Sequence, residues 1–153
     1  MHSRKFDMYG SLMCSFPAYK TGEGNGCMMI YRDKREWVAI SQKTCLCHWA
    51  QYFCTSIDTV KEEEGYYLRR KKYLPIVMDQ GCTLIPIKVR HPKFKDDGAY
   101  GYVKNECVSY VDMVGKHAVI HFVNGDEQEL LMTKERFEDY QREGEAMNII
   151  LCK

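Results

Sequence analysis

The dipeptide Asn124-Gly125 stands between two short segments of alternating polarity, His117 to Val123 (HAVIHFV) and Glu127 to Met132 (EQELLM). Alternation with a period of two turns one face of each segment toward a core. Asn-Gly favours the left-handed backbone of a type I′ turn, so the stretch predicts a β-hairpin. Directly after it, Thr133 is placed to cap a helix from Lys134 to about Glu143, with Phe137 and Tyr140 on one face and Gly144 to end it. A hairpin is thus expected to run straight into a short amphipathic helix.

Most of the remaining apolar segments also read as strands. Gly26 to Tyr31 (GCMMIY) and Glu36 to Ile40 (EWVAI) pair around the polar turn Arg32 to Arg35, and Leu74 to Met78, Cys82 to Val89 and Glu106 to Met113 are further candidates. Pro86 lacks an N–H and directs its segment toward a sheet edge or a bulge. The uncharged aromatic run Cys45 to Phe53 (CLCHWAQYF) predicts a buried helix capped by Ser41 or Thr44. Residues 1–20 are expected to be irregular. With 153 residues, 45% of them hydrophobic, the expectation is one α+β domain over 1–153, mainly antiparallel sheet with two or three short helices. Within it, 117–143 is the hairpin and its helix.

The 22 basic and 21 acidic side chains nearly cancel, which excludes disorder driven by net charge. Met1 to Gly10 carries no apolar signal region, and no apolar run approaches the roughly 20 residues that cross a bilayer. A cytoplasmic protein without a membrane partner is expected. In a reducing compartment the eight cysteines (14, 27, 45, 47, 54, 82, 107 and 152) are expected as free thiols, most of them buried as small hydrophobes.

Charge is unevenly distributed. Tyr66 to Lys95 holds eight Lys or Arg against one acid, Asp79, whereas Asn124 to Glu145 holds three bases against eight acids. Arg69, Arg70, Lys71 and Lys72, flanked by Tyr66, Tyr67 and Tyr73, suit a polyanion: cations release counterions from phosphates, and tyrosines add stacking or hydrogen bonds. Arg90, Lys93 and Lys95, with His91, extend the same set of candidate contacts. A solvated loop with lysines guarding a sheet edge is the competing interpretation.

Other constellations are weaker. Cys45, Cys47, His48 and Cys54 are chemically apt zinc ligands but crowded into ten residues, without the distant second pair of a structural zinc site. Cys107 or Cys82 with His91, His117 or His121 would make a nucleophile pair, yet nothing local marks one as activated, and no catalytic residue is assigned. Gly22-Glu23-Gly24-Asn25-Gly26 lacks the Gly-Lys-Ser/Thr of a phosphate-binding loop. No enzyme activity and no cofactor are expected.

Several segments together resemble the bacterial competence transcription factor family, ComK. Thr44-Cys45 looks like its Ser-Cys step before an aromatic stretch, Pro75-Ile76-Val77-Met78-Asp79 like its Pro-Ile-Met-Val-Asp run, and Leu84-Ile85-Pro86 like its apolar-Pro segment. Tyr100-Gly101-Tyr102-Val103 sits where the family has an aromatic strand. Val119 to Tyr140 is similar to its hairpin followed by a Ser-Phe-Glu segment, here Phe137-Glu138. The resemblance covers roughly residues 26 to 145. It implies a transcription activator that binds AT-rich double-stranded DNA, partly through the minor groove, and acts as a homo-oligomer, with a regulatory protein partner a further expectation.

The sequence-based expectation is therefore a DNA-binding transcriptional regulator. The rival is a protein-assembly module without nucleic-acid binding, in which the acidic Lys134 to Glu143 helix docks on a basic face.

Overall fold

The computed structural model describes residues 4–94 and 97–152. A 3-10 segment, Arg4–Gly10, leads into β1 (Leu12–Lys20), β2 (Gly24–Tyr31) and β3 (Arg35–Val38). Two helices follow, α1 (Gln42–Tyr52) and α2 (Ile57–Leu68), then β4 (Ile76–Asp79), β5 (Cys82–Lys88) and β6 (Tyr100–Lys104). These six strands form one antiparallel sheet in the order β3-β2-β1-β6-β5-β4. A second antiparallel sheet joins β7 (Val108–Val114), β8 (His117–Phe122) and β9 (Glu127–Glu129), and the 18-residue α3 (Lys134–Leu151) ends the described chain. The architecture is α+β, as expected.

Both faces of the large sheet are covered, and the pleat sorts the side chains between them. Met29, Leu84 and Tyr102 pack with Trp49, Ile57 and Val60 of α1 and α2. Their sequence neighbours Ile30, Ile85 and Val103 pack on the other side with Ile120 and Phe122 of β8 and Phe137 and Tyr140 of α3. Burial on two faces explains why β5 reads as an almost unbroken apolar run. A register irregularity between Leu12 and Cys14 lets Leu12 serve the first face while Met13 and Cys14 both serve the second.

Residues 12–20, expected to be irregular, form β1, which pairs with β2 along its length and with β6 at Cys14 and Ser15. Pro86 pairs with Tyr102 of β6 and lies beyond the last β4 partner, Leu84, so its missing N–H falls where β5 is an edge. Ser41, Ser56 and Thr133 each cap their helix through a side-chain oxygen accepting the N–H three residues on.

Two local expectations are corrected. The Asn124-Gly125 connection is not a two-residue I′ turn: Gly125 N–H bonds Phe122 C=O, Phe122 N–H bonds Asp126 C=O, and only Gly125 has positive φ, at 90°. That is a turn closed by a left-handed glycine bulge. Helix α3 runs past Gly144, whose missing side chain admits the sheet: a Cβ there would stand 2.5 Å from Ile85 Cδ1.

Candidate nucleic-acid interface

Helix α2 stops at Arg69, which takes the left-handed conformation (φ 56°), and Tyr73 does the same four residues later (φ 57°). That conformation normally belongs to glycine or asparagine. Between the two bends the chain presents Lys71 and Lys72, both exposed. Arg70 turns the other way. Its guanidinium meets both carboxylate oxygens of Glu143 on α3 (2.7 Å from Nη2 to Oε1), and also donates to the carbonyls of Lys72 (3.0 Å) and Tyr73 (2.8 Å). Arg70, expected as a phosphate contact, is thus the clamp that shapes the loop.

Tyr73 packs its ring on Tyr100 of β6 with centroids 4.3 Å apart and planes 32° apart. The pair forms one wall of an open groove of about 570 Å³, lined also by Lys72, Lys88, His91 and Pro92. Among the described residues no carboxylate lines this groove. Lys88 ends β5 and is held there by its backbone, its C=O accepting Leu131 N–H (2.8 Å). Two neighbouring concavities share Arg70 but carry acids: Asp139 and Glu143 on the α3 side, where Tyr73 also lines the wall, and Asp58 and Glu62 on the α2 side.

The loop after β5 continues the surface. Arg90 stacks its guanidinium on Tyr19 (4.1 Å to the ring centroid) and donates to the carbonyls of Asp97 (2.6 Å) and Gly98 (2.9 Å). Tyr19 hydroxyl donates to Asp97 (2.6 Å) and accepts from Lys93 N–H (2.6 Å). Arg90, like Arg70, is engaged internally. Lys93 is exposed, with its ammonium 4.9 Å from the Tyr19 ring centroid. Among the described residues no carboxylate pairs with Arg69, Lys71, Lys72, Lys88 or Lys93. Lys95, also expected to contact DNA, lies outside the described residues.

The metal alternative is not supported by the geometry. Cys45 and Cys47 are two apart on α1 and therefore point to different sides; the first is buried and the second exposed. Cys54 is exposed beyond the helix end, and His48 Nδ1 lies 3.2 Å from the Tyr9 hydroxyl. Among the described residues no group of three or more His, Cys, Asp or Glu is placed to hold a metal. Cys45 instead shares a buried polar nest: Ser15 Oγ lies 2.8 Å from Cys27 Sγ and 3.0 Å from Cys45 Sγ, and Cys27 donates to Gln42 Oε1 (2.9 Å).

The thiol and histidine candidates do not pair either. Cys82 and Cys107 are buried, and burial pushes both thiols up, Cys82 to about 12, which opposes formation of a nucleophilic thiolate. His121 sits 3.0 Å from Asp112 and 3.5 Å from Glu127, and His117 is 3.3 Å from Glu129. All eight cysteines are free, and five are buried. No helix among the described residues is long and apolar enough to cross a membrane.

Lys88 belongs to the basic stretch of the sequence but is not among the contacts expected from it. Its position as the first charged residue after an unbroken apolar run is the local signal for it. Comparison with family models, curated proteins and solved structures finds no match for this chain.

Proposed function

We propose that this chain is a double-stranded DNA-binding protein whose phosphate contacts are Arg69, Lys71, Lys72, Lys88 and Lys93. The observation that carries this reading is the groove between Lys72, Lys88 and His91, which is basic, walled by the Tyr73–Tyr100 pair and, among the described residues, free of carboxylates. A ligand with several phosphates gains from each ammonium through counterion release, and the tyrosines supply hydroxyls and ring faces for sugar or base edges. The left-handed backbone at Arg69 and Tyr73 supports the same reading: strained conformations held by surrounding structure gather at functional positions. A transcriptional regulator preferring AT-rich sites, working in the cytoplasm as a homo-oligomer with a regulatory protein partner and without a cofactor, is the form of this function that the ComK-like segments favour.

Fluorescence anisotropy with AT-rich and GC-rich duplexes between about 50 and 200 mM salt tests it. Five phosphate contacts give a slope of log K against log salt of roughly −4.5, and the regulator reading adds a preference for the AT-rich duplex. A Lys72→Glu, Lys88→Glu double variant loses affinity for both duplexes. A flat salt dependence, or a double variant that binds like the parent, rejects the DNA reading.

A further inference from the structure

We propose that β7 is a self-association edge through which two copies of this chain join their three-stranded sheets into one six-stranded sheet. The proposal concerns a different surface from the basic groove and does not depend on it.

Among the described residues β7 pairs only with β8, which leaves its other side open. The two-residue connection between Val114 and His117, with Gly115 at φ 63°, makes those two residues a hydrogen-bonded pair. Counting back, Asp112 and Tyr110 also face β8, and Val111 and Met113 direct their N–H and C=O groups outward. The other side of β8 agrees: Ala118 and Phe122, which alternate with those partners, bond Leu130, Met132 and Asp126. Among the described residues nothing bonds the outward groups of Val111 and Met113. Apart from Asp112, the side chains from Tyr110 to Val114 are apolar, and three are open, with Tyr110 54%, Met113 49% and Val114 63% exposed.

Proteins usually guard such an edge with charge. Here the one charge within β7, Asp112, is drawn to His121 at 3.0 Å. A second copy of the same edge complements what remains. With the two-fold axis at Met113, that residue exchanges both backbone bonds with its copy, and Asp112 faces Val114 rather than another carboxylate. Tyr110 then faces Lys116 of the second copy. Tyr110 is stacked flat on His121 (centroids 4.1 Å apart, planes at 7°), so one ring face is covered and the other is left for the Lys116 ammonium. An axis at Asp112 would oppose two carboxylates, and an axis at Val111 would run the ladder into the register irregularity between Val108 and Tyr110.

Sedimentation equilibrium of the full chain from micromolar to submillimolar concentration is the test. The parent dimerises. Met113→Pro, which removes an outward N–H but no bond to β8, raises the dissociation constant at least about tenfold while circular dichroism stays unchanged. Lys116→Glu, on the exposed turn, weakens the dimer without touching the strand and serves if the proline variant fails to fold. A parent that is monomeric throughout, or a dimer indifferent to both substitutions, overturns the proposal.

Discussion

Arg70 and Glu143, 73 residues apart in sequence, form a two-point ion pair that ties the loop after α2 to α3. The arginine also binds the carbonyls of Lys72 and Tyr73, so a single guanidinium sets the path of the loop and fastens it to a second element. It is the docking of an acidic helix on a basic residue that charge segregation suggests, made here within one molecule. Removing one partner leaves the other half-buried and unmatched. Glu143→Gln should therefore cost roughly 1–2 kcal/mol in urea unfolding. Arg70→Ala should cost more, because the two carbonyls lose their donor as well. If the chain binds DNA as proposed, Arg70 serves there as a positioning residue: Arg70→Ala should lower affinity, whereas Glu143→Gln, which removes a negative charge, should not.

Arg69 offers the sharpest separation of stability from binding. A glycine at this helix end would adopt φ 56° without strain, whereas arginine carries a cost on the order of 1 kcal/mol. Arg69→Gly should leave the melting temperature unchanged or raise it. The same substitution should weaken DNA binding and flatten the salt slope by about one charge. A variant that is more stable and binds equally well would remove Arg69 from the interface.

The elements of this fold differ in how strongly their local sequence declares them. The β8–β9 hairpin and Thr133 cap were legible because alternation and capping chemistry are local. Strand β1 was not, since Pro17 and the irregularity between Leu12 and Cys14 break the period of two. Helix α2 hid behind Lys61-Glu62-Glu63-Glu64 and Gly65, with Ile57 and Val60 its only buried apolar residues. In the candidate site, the basic stretch could be counted from residues. That Arg70 and Arg90 are engaged internally while Lys88 lines the groove depends on contacts with Glu143, Tyr19 and Leu131, which local pattern does not encode.

Two glycines at close contacts should respond differently to a methyl group. At Gly101 a Cβ would stand 2.3 Å from Ser15 C=O and 2.5 Å from Phe16 Cα, backbone atoms of β1 that cannot move without breaking the sheet. Gly101→Ala should cost about 3 kcal/mol or more. At Gly144 the obstacle at 2.5 Å is the end of the Ile85 side chain, which can rotate, and alanine gains roughly 1 kcal/mol in helix propensity. Gly144→Ala should therefore unfold within about 1 kcal/mol of the parent. Equal losses at both positions would contradict the close approach assigned to β1 and β6.

Glu64 makes the fold sensitive to pH. It is buried on α2, and its Oε1 accepts the Val77 N–H of the edge strand β4 at 2.9 Å, while Oε2 has no partner among the described residues. Burial pushes its carboxyl up to about 7, against the lowering effect of the Val77 hydrogen bond. Between the ordinary carboxylate range and pH 7 the folded chain keeps a proton that the unfolded chain has released, so stability falls as pH rises through that window. The loss from this group should reach on the order of 3 kcal/mol by pH 8. Glu64→Gln keeps an acceptor for Val77 but has no charge to bury. Urea midpoints at pH 5 and pH 8 should therefore lie closer together in the variant, with the variant the more stable protein at pH 8. A variant less stable at both values, with the parent's pH dependence intact, would show that Glu64 is not the titrating group.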